Sequence, residues 1–278
     1  MTTLSRDIAD TFGTQGFVFP IDVMTKAEAS SYRRALEDFE HCFDAGAAQL
    51  QCLRSYPHLL LPFVDEIIRR PAVTDAVAEI LGNDLLVLDS SFFIKEPQTT
   101  HYVSWHQDVH YWGLESDEEV TAWIALSPAT SESGCMRFVP GSQKQVVEHR
   151  DTYGGDNLLS RGQEIAVDVD ENDAIEVILE PGQMSLHHGR LFHASHANSS
   201  DDRRIGLAVR YIPTTMKQAP GARMSAMLVR GTDSHGHFAS CSRPTGKLSE
   251  ADFAYWSKIK DARKNVVLDD GASTSGKF

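Results

Sequence analysis

Near residue 84 the hydrophobic pattern of this chain changes period, and that change most limits what the chain can fold into. Before it, apolar residues recur at helical spacing. In "TKAEASSYRRALEDFEHCF" the residues Ala29, Tyr32, Leu36, Phe39 and Phe43 form one face, and Thr25 with Glu28 makes a capping box at its start. A second helix is predicted near Pro57, in "PHLLLPFVDEIIRR", and a third in "PAVTDAVAEILG", with Pro71 in its first turn and Gly82 ending it. After the change, short runs dominate: "DLLVLDSSFFIK", "VTAWIALS", "CMRFVPGS", "AIEVILEPG", "MSLHHG", "LFHASHA" and "RRIGLAVRYIP". Gly, Pro, Asn, Asp and Ser separate them, as in a sandwich or a barrel. Beyond Pro213 the pattern is irregular, and residues 214–240 read either as a lid or as a connector. Ser249 and Asp252 open a last helix, "EADFAYWSKIKDARK", followed by a polar tail expected to fray. There is no internal repeat. One domain over 1–278 is expected: helical support in 1–83, a mainly β core in 84–213, and a loop or lid with a C-terminal helix in 214–278.

Composition excludes some classes. A net charge of −13 leaves no basic stripe for phosphates, so no nucleic-acid partner is expected. No run of eighteen apolar residues exists, so no membrane span is expected either. The segment "MTTLSRDIADTFGTQG" lacks the features of a signal peptide, which points to a cytoplasmic protein. Four scattered cysteines without CxxC spacing read as free thiols.

Seven of the twelve histidines fall in two windows, at 101, 106 and 110, then at 187, 188, 193 and 196. In "SWHQDVHYW", His106 and Asp108 lie two apart and share one face of an extended segment, while Gln107 points away. Alone, such a pair is more often structural than metal-binding. The second window shifts that balance. "LFHASHANSSDDRRIGLAVRY" reads as two strands around a hairpin turn, which brings His193 near Arg204. Two imidazoles and a carboxylate make a facial triad with open positions for iron, and Arg204 offers a planar fork to a carboxylate.

The stretches "FFIKEP", "HQDVHYWG", "VTAWIAL", "SGCMRFVPGSQK" and "HASHANSSDDRR", from about Phe92 to Tyr211, resemble the phytanoyl-CoA dioxygenase family of Fe(II)/2-oxoglutarate oxygenases. The resemblance implies a double-stranded β-helix, of the jelly-roll or cupin-like kind, supported by N-terminal helices. It implies His106, Asp108 and His193 as iron ligands, and Arg204, Ser195 and Trp123 around 2-oxoglutarate, with O2 as the other cosubstrate. His187, His188 and His196 compete for the third ligand position, but His193 alone has both the family's following serine and the arginine at the right distance. Asp108 stands where related halogenases carry a small residue, so hydroxylation is the implied outcome.

Candidate substrate residues are Arg54, His58, Lys95, Tyr102, His110 and Tyr111, with Trp105, Trp112, Arg137 and Arg210 as further aromatic or cationic neighbours. For each, packing or a surface charge is the plainer alternative. An acidic chain disfavours a long acyl-CoA. Aromatics combined with a few arginines suit a compact zwitterion, of which a 2-aminoethylphosphonate-like compound, N-methylated or not, is the leading expectation. A terpenoid or other secondary metabolite is the runner-up. The same ligand trio would also serve a zinc hydrolase, and a non-catalytic metal- or ligand-binding β-sandwich is the third class. Oligomeric state is not readable.

Overall fold

The computed structural model describes residues 4–108, 112–151, 156–159, 163–221 and 224–273. The chain divides into two compact units, one of Met1–Asp38, Phe92–Asp108 and Thr121–Ala208, the other of Phe39–Ser91, Val109–Val120 and Val209–Phe278.

The first unit opens with α1 (Leu4–Gln15) and β1 (Phe17–Asp22), then starts α2 (Lys26–His41). The capping box at α2 is formed: Thr25 N–H donates to Glu28 Oε2 at 2.8 Å, and Glu28 N–H donates to Thr25 Oγ1 at 3.2 Å. Strand β1 pairs antiparallel with β9 (Gln183–His188), Phe17 opposite His187. Beyond β9 come β4 (Val120–Ala125), the first half of β11 (Arg204–Pro213) and the second half of β2 (Leu85–Lys95). A second sheet has the order β3 (Val103–His106), β10 (His193–Ser195), β5 (Met136–Phe138) and β8 (Ile175–Val177). A small pair, β6 (His149–Asp151) and β7 (Gln163–Ile165), forms a separate two-stranded sheet beside β3, and Gln107 N–H donates to His149 Nε2 at 3.0 Å.

The two larger sheets share one core. Phe17, Trp123, Ala125 and Ala208 from the first meet Met136, Phe138 and Val177 from the second, and the Phe17 and Phe138 rings lie 5.2 Å apart. This is the jelly-roll sandwich. The expected hairpin over 193–210 is not formed, because β10 and β11 belong to different sheets. The Asn/Ser/Asp run between them is instead a corner. Asn198 Nδ2 donates to the carbonyls of Lys95, Glu96 and Asp202, while its Oδ1 accepts from Ser200 N–H. Turn chemistry was legible there, but the sheet that receives the next strand was not.

The second unit carries two short 3₁₀ turns (Ala48–Arg54 and Pro57–Leu59), α3 (Pro62–Ile68) and α4 (Pro71–Leu81), both α-helices with proline in the first turn. Gly82, at φ 86°, closes α4. Strand β12 (Ser225–Arg230) pairs with β2, Met227 opposite Val87, and β13 (Ala239–Ser240) lies parallel to β12. That strand falls in the segment read as irregular. Its pattern is too short to declare itself, and a partner about 140 residues away in sequence makes it a strand. Helix α5 runs Glu250–Ser273, further than its sequence pattern suggests, from a second formed capping box at Ser249 and Asp252. Among the described residues no helix is long and apolar enough to cross a membrane, and the four cysteines are free.

Candidate metal centre and cosubstrate subsite

The β3–β10 ladder sets His106 opposite His193, with ring centroids 3.9 Å apart. Each ring is oriented by its own strand. His106 Nδ1 lies 2.9 Å from the Ser104 carbonyl, and His193 Nδ1 lies 2.9 Å from the Leu191 carbonyl. A carbonyl only accepts, so each Nδ1 carries the hydrogen and each Nε2 keeps its lone pair for a metal. Asp108 sits just beyond β3, its N–H donating to the Gly189 carbonyl at 2.6 Å. Its Oδ1 is 3.3 Å from His106 Nε2 and 3.9 Å from His193 Nε2. One ligand atom from each residue falls within 4.8 Å of the others, a span that an ion with bonds of about 2.1 Å can bridge. The pair His106 and His193 is buried, and Gln107 does turn away, its amide donating to the carbonyls of Gln145 and Arg190.

The competing histidines have other work. His196 Nε2 lies 2.7 Å from Arg137 Nη1, which also bonds Glu171 at 3.1 Å. His188 Nδ1 accepts from Arg190 N–H at 3.0 Å. His187 packs its ring between Phe138 and His193, at 5.1 and 4.9 Å.

Arg204, at the start of β11, is 1% exposed. Its guanidinium lies 5.3 Å from the Trp123 ring, a contact made possible because Gly206 has no side chain to occupy the space of that ring. Arg204 Nη1 donates to the Gly134 carbonyl at 2.6 Å, but its buried Nε has no hydrogen-bond partner. Burial lowers its pKa to about 10, so it stays charged at neutral pH. A buried cation with an unused donor and no bonded carboxylate among the described residues suits an added carboxylate anion. Ser195 is also buried, with Oγ 2.7 Å from Lys95 Nζ. The donor set therefore fits both iron and a keto-acid.

Arg54 and His58 belong to the second unit. Arg54 is exposed at the end of a 3₁₀ turn, whereas His58 is buried with Nδ1 2.6 Å from Ser90 Oγ. Burial depresses the His58 pKa to about 3. Tyr102 is 39% exposed. Lys95 is fully buried and points to Ser195. His110 and Tyr111 lie outside the described residues. Arg137 is engaged as above and also covers the Trp105 ring at 5.3 Å. In the second unit Trp112 is flanked by the guanidinium groups of Arg210 and Arg263, at 5.5 and 5.7 Å, and Arg210 donates to Ser91 Oγ. Sequence reasoning passed over Arg263, which no local pattern ties to a residue 151 positions earlier.

The sequence profile of the phytanoyl-CoA dioxygenase family, PhyH, matches residues 12–206, a span holding the triad and Arg204. The chain belongs to this family. A non-heme monooxygenase solved as ThoJ apo is similar at 33% identity and TM-score 0.84, covering 96% of this chain and 100% of that one. A probable alpha-ketoglutarate-dependent hypophosphite dioxygenase from Stutzerimonas stutzeri is 31% identical over 160 residues, which is 56% of this chain and 54% of the relative. The chain thus matches only about half the length of that curated relative. CytC3, solved with Fe(II) and alpha-ketoglutarate, shares the fold at 21% identity and TM-score 0.61, over 83% of this chain and 90% of its own.

Proposed function

We propose that this PhyH protein is an Fe(II)- and 2-oxoglutarate-dependent dioxygenase that hydroxylates a small molecule, releasing succinate and carbon dioxide. The observation that carries the reading is the pairing of a three-ligand cluster with a buried arginine that bonds no carboxylate among the described residues. In this reading His106, Asp108 and His193 hold iron on one face, and Arg204 with Ser195 receives the far carboxylate of 2-oxoglutarate. Bound iron supplies the oxidising chemistry. The protein's own residues orient the ligands, match charge and keep water from a buried site. Trp123 fixes the plane of the Arg204 fork, so the anion is held in one orientation. A zinc hydrolase would use the same trio but leave Arg204 and Ser195 without a task.

For the substrate, we infer a small zwitterionic organophosphonate, 2-aminoethylphosphonate-like and N-methylated or not, hydroxylated beside its anionic group. Support comes from the acidic chain, which disfavours a phosphate-rich acyl-CoA, and from the likeness to a probable hypophosphite dioxygenase. The test adds Fe(II) and 2-oxoglutarate anaerobically to metal-free protein and reads the weak charge-transfer band in the visible. Oxygen and a panel of phosphonates, betaines and terpenoid acids then follow, scored by succinate release. Stimulation by phosphonates over the others supports the substrate; stimulation by terpenoid acids alone replaces it. Tight zinc binding with no band overturns the oxygenase reading.

A further inference from the structure

Lys95 ends β2 with its side chain fully buried. Its Nζ lies 2.7 Å from Ser195 Oγ, 3.4 Å from the Gly134 carbonyl and in contact with the His196 carbonyl, three acceptors that only the protonated amine can serve at once. Arg204 Nη1 donates to the same Gly134 carbonyl. Two basic side chains therefore meet at one oxygen, and no carboxylate among the described residues bonds either. Burying like charges together is costly, and an anion is what offsets it. The titratable and charged groups facing Lys95 are Arg204 on β11 and Cys135 just before β5. Burial pushes the Cys135 thiol up to about 11, so it stays neutral, while burial and then Arg204 push Lys95 down to about 6. Ser195 adds a directional feature. Once its Oγ accepts from Lys95, its own hydroxyl hydrogen is left to donate elsewhere.

We propose that Lys95 is a positioning residue for the cosubstrate: it turns the Ser195 hydroxyl toward the carboxylate received by Arg204, and takes up a proton from solvent as that anion binds. This rests on the oxygenase reading above. The two negative charges of 2-oxoglutarate raise the proton affinity of a buried amine, so binding and protonation reinforce each other.

The test is the dissociation constant of 2-oxoglutarate on Fe(II)-loaded protein, read anaerobically from the visible band between pH 7 and 9. The wild type is compared with Lys95→Met, Ser195→Ala and the double variant. Lys95→Met is expected to bind 2-oxoglutarate about tenfold to a hundredfold more weakly, with Fe(II) affinity unchanged. In the Ser195→Ala background the same change should cost less than about threefold, since Lys95 acts through that hydroxyl. Wild-type affinity should fall as pH rises, and the Lys95→Met profile should be flat. Should Lys95→Met not fold, Lys95→Gln, neutral but still a donor, keeps the bond to Ser195 and should flatten the pH profile alone. Equal affinity and equal pH slope in wild type and variant would overturn the proposal, as would an undiminished loss in the Ser195→Ala background. Absence of any band in the wild type is a different result, and it strikes the oxygenase reading itself.

Discussion

Two ring nitrogens that never touch a metal decide whether the triad can hold one. With Nδ1–H of His106 and His193 donated to carbonyls two residues back, both Nε2 lone pairs face Asp108 Oδ1. Removing either end of that arrangement removes the site: His193→Ala and Asp108→Ala should each lose the visible band of the Fe(II)·2-oxoglutarate complex while keeping the circular dichroism of the wild type. Survival of the band in both variants would mean that another residue ligates the iron. Gly206 makes a second residue-scale case. A Cβ there would collide with the Trp123 indole, so Gly206→Ala should destabilise the fold by about 1–3 kcal/mol and weaken 2-oxoglutarate binding as the arginine's aromatic support moves. Urea unfolding and the same spectroscopic titration measure the two effects. His106 and Asp108 were readable because spacing of two in an extended segment is local, whereas His193 was readable through the family motif of a following serine and arginine. Lys95 was readable only as a basic residue of the right region, since its partner Ser195 is 100 residues away.

At the level of elements, helix starts were legible and strand partners were not. Both capping boxes exist because each is closed within four residues by the chain itself. Thr25→Ala should therefore cost about 1 kcal/mol and lower Tm by about 2–4 °C, leaving cosubstrate affinity intact. The corner at Asn198 is the opposite kind of feature, with a turn-forming composition but a fold-dependent role. One side-chain amide holds three carbonyls, two of them at the end of β2 beside Lys95. Asn198→Ala should destabilise by about 1–3 kcal/mol and, unlike Thr25→Ala, should also weaken 2-oxoglutarate binding. If both variants shift stability alone, the corner has no part in holding the cosubstrate subsite. The missed β12 belongs here too. Six residues with a mixed burial pattern become a strand through Val87 and Leu86, not through their own propensity.

For the molecule as a whole, stability should depend on acid through His58. Its folded pKa of about 3 lies below its ordinary value of 6.5 because burial penalises the charged ring. The unfolded chain therefore binds the proton first. His58 supports the fold fully above about pH 6.5, and that support erodes as pH falls from there toward 3. In metal-free protein, His58→Gln should flatten this part of the stability curve, as measured by urea unfolding at pH 7 and pH 4.5. An identical slope in the variant would assign the acid sensitivity to other groups.

By itself the sequence determined a helical support ahead of a β-rich core, the helix caps, the HxD pair, and the serine and arginine that accompany His193. These are properties of residues close along the chain or carried by a motif. Only the tertiary structure decided that β10 and β11 part into different sheets, that His196 is committed to Arg137, and that Lys95 meets Arg204 at the Gly134 carbonyl. Each of those depends on which distant strands share a ladder or a core. Sheet pairing is set by packing across the whole sandwich, and no window of sequence contains it.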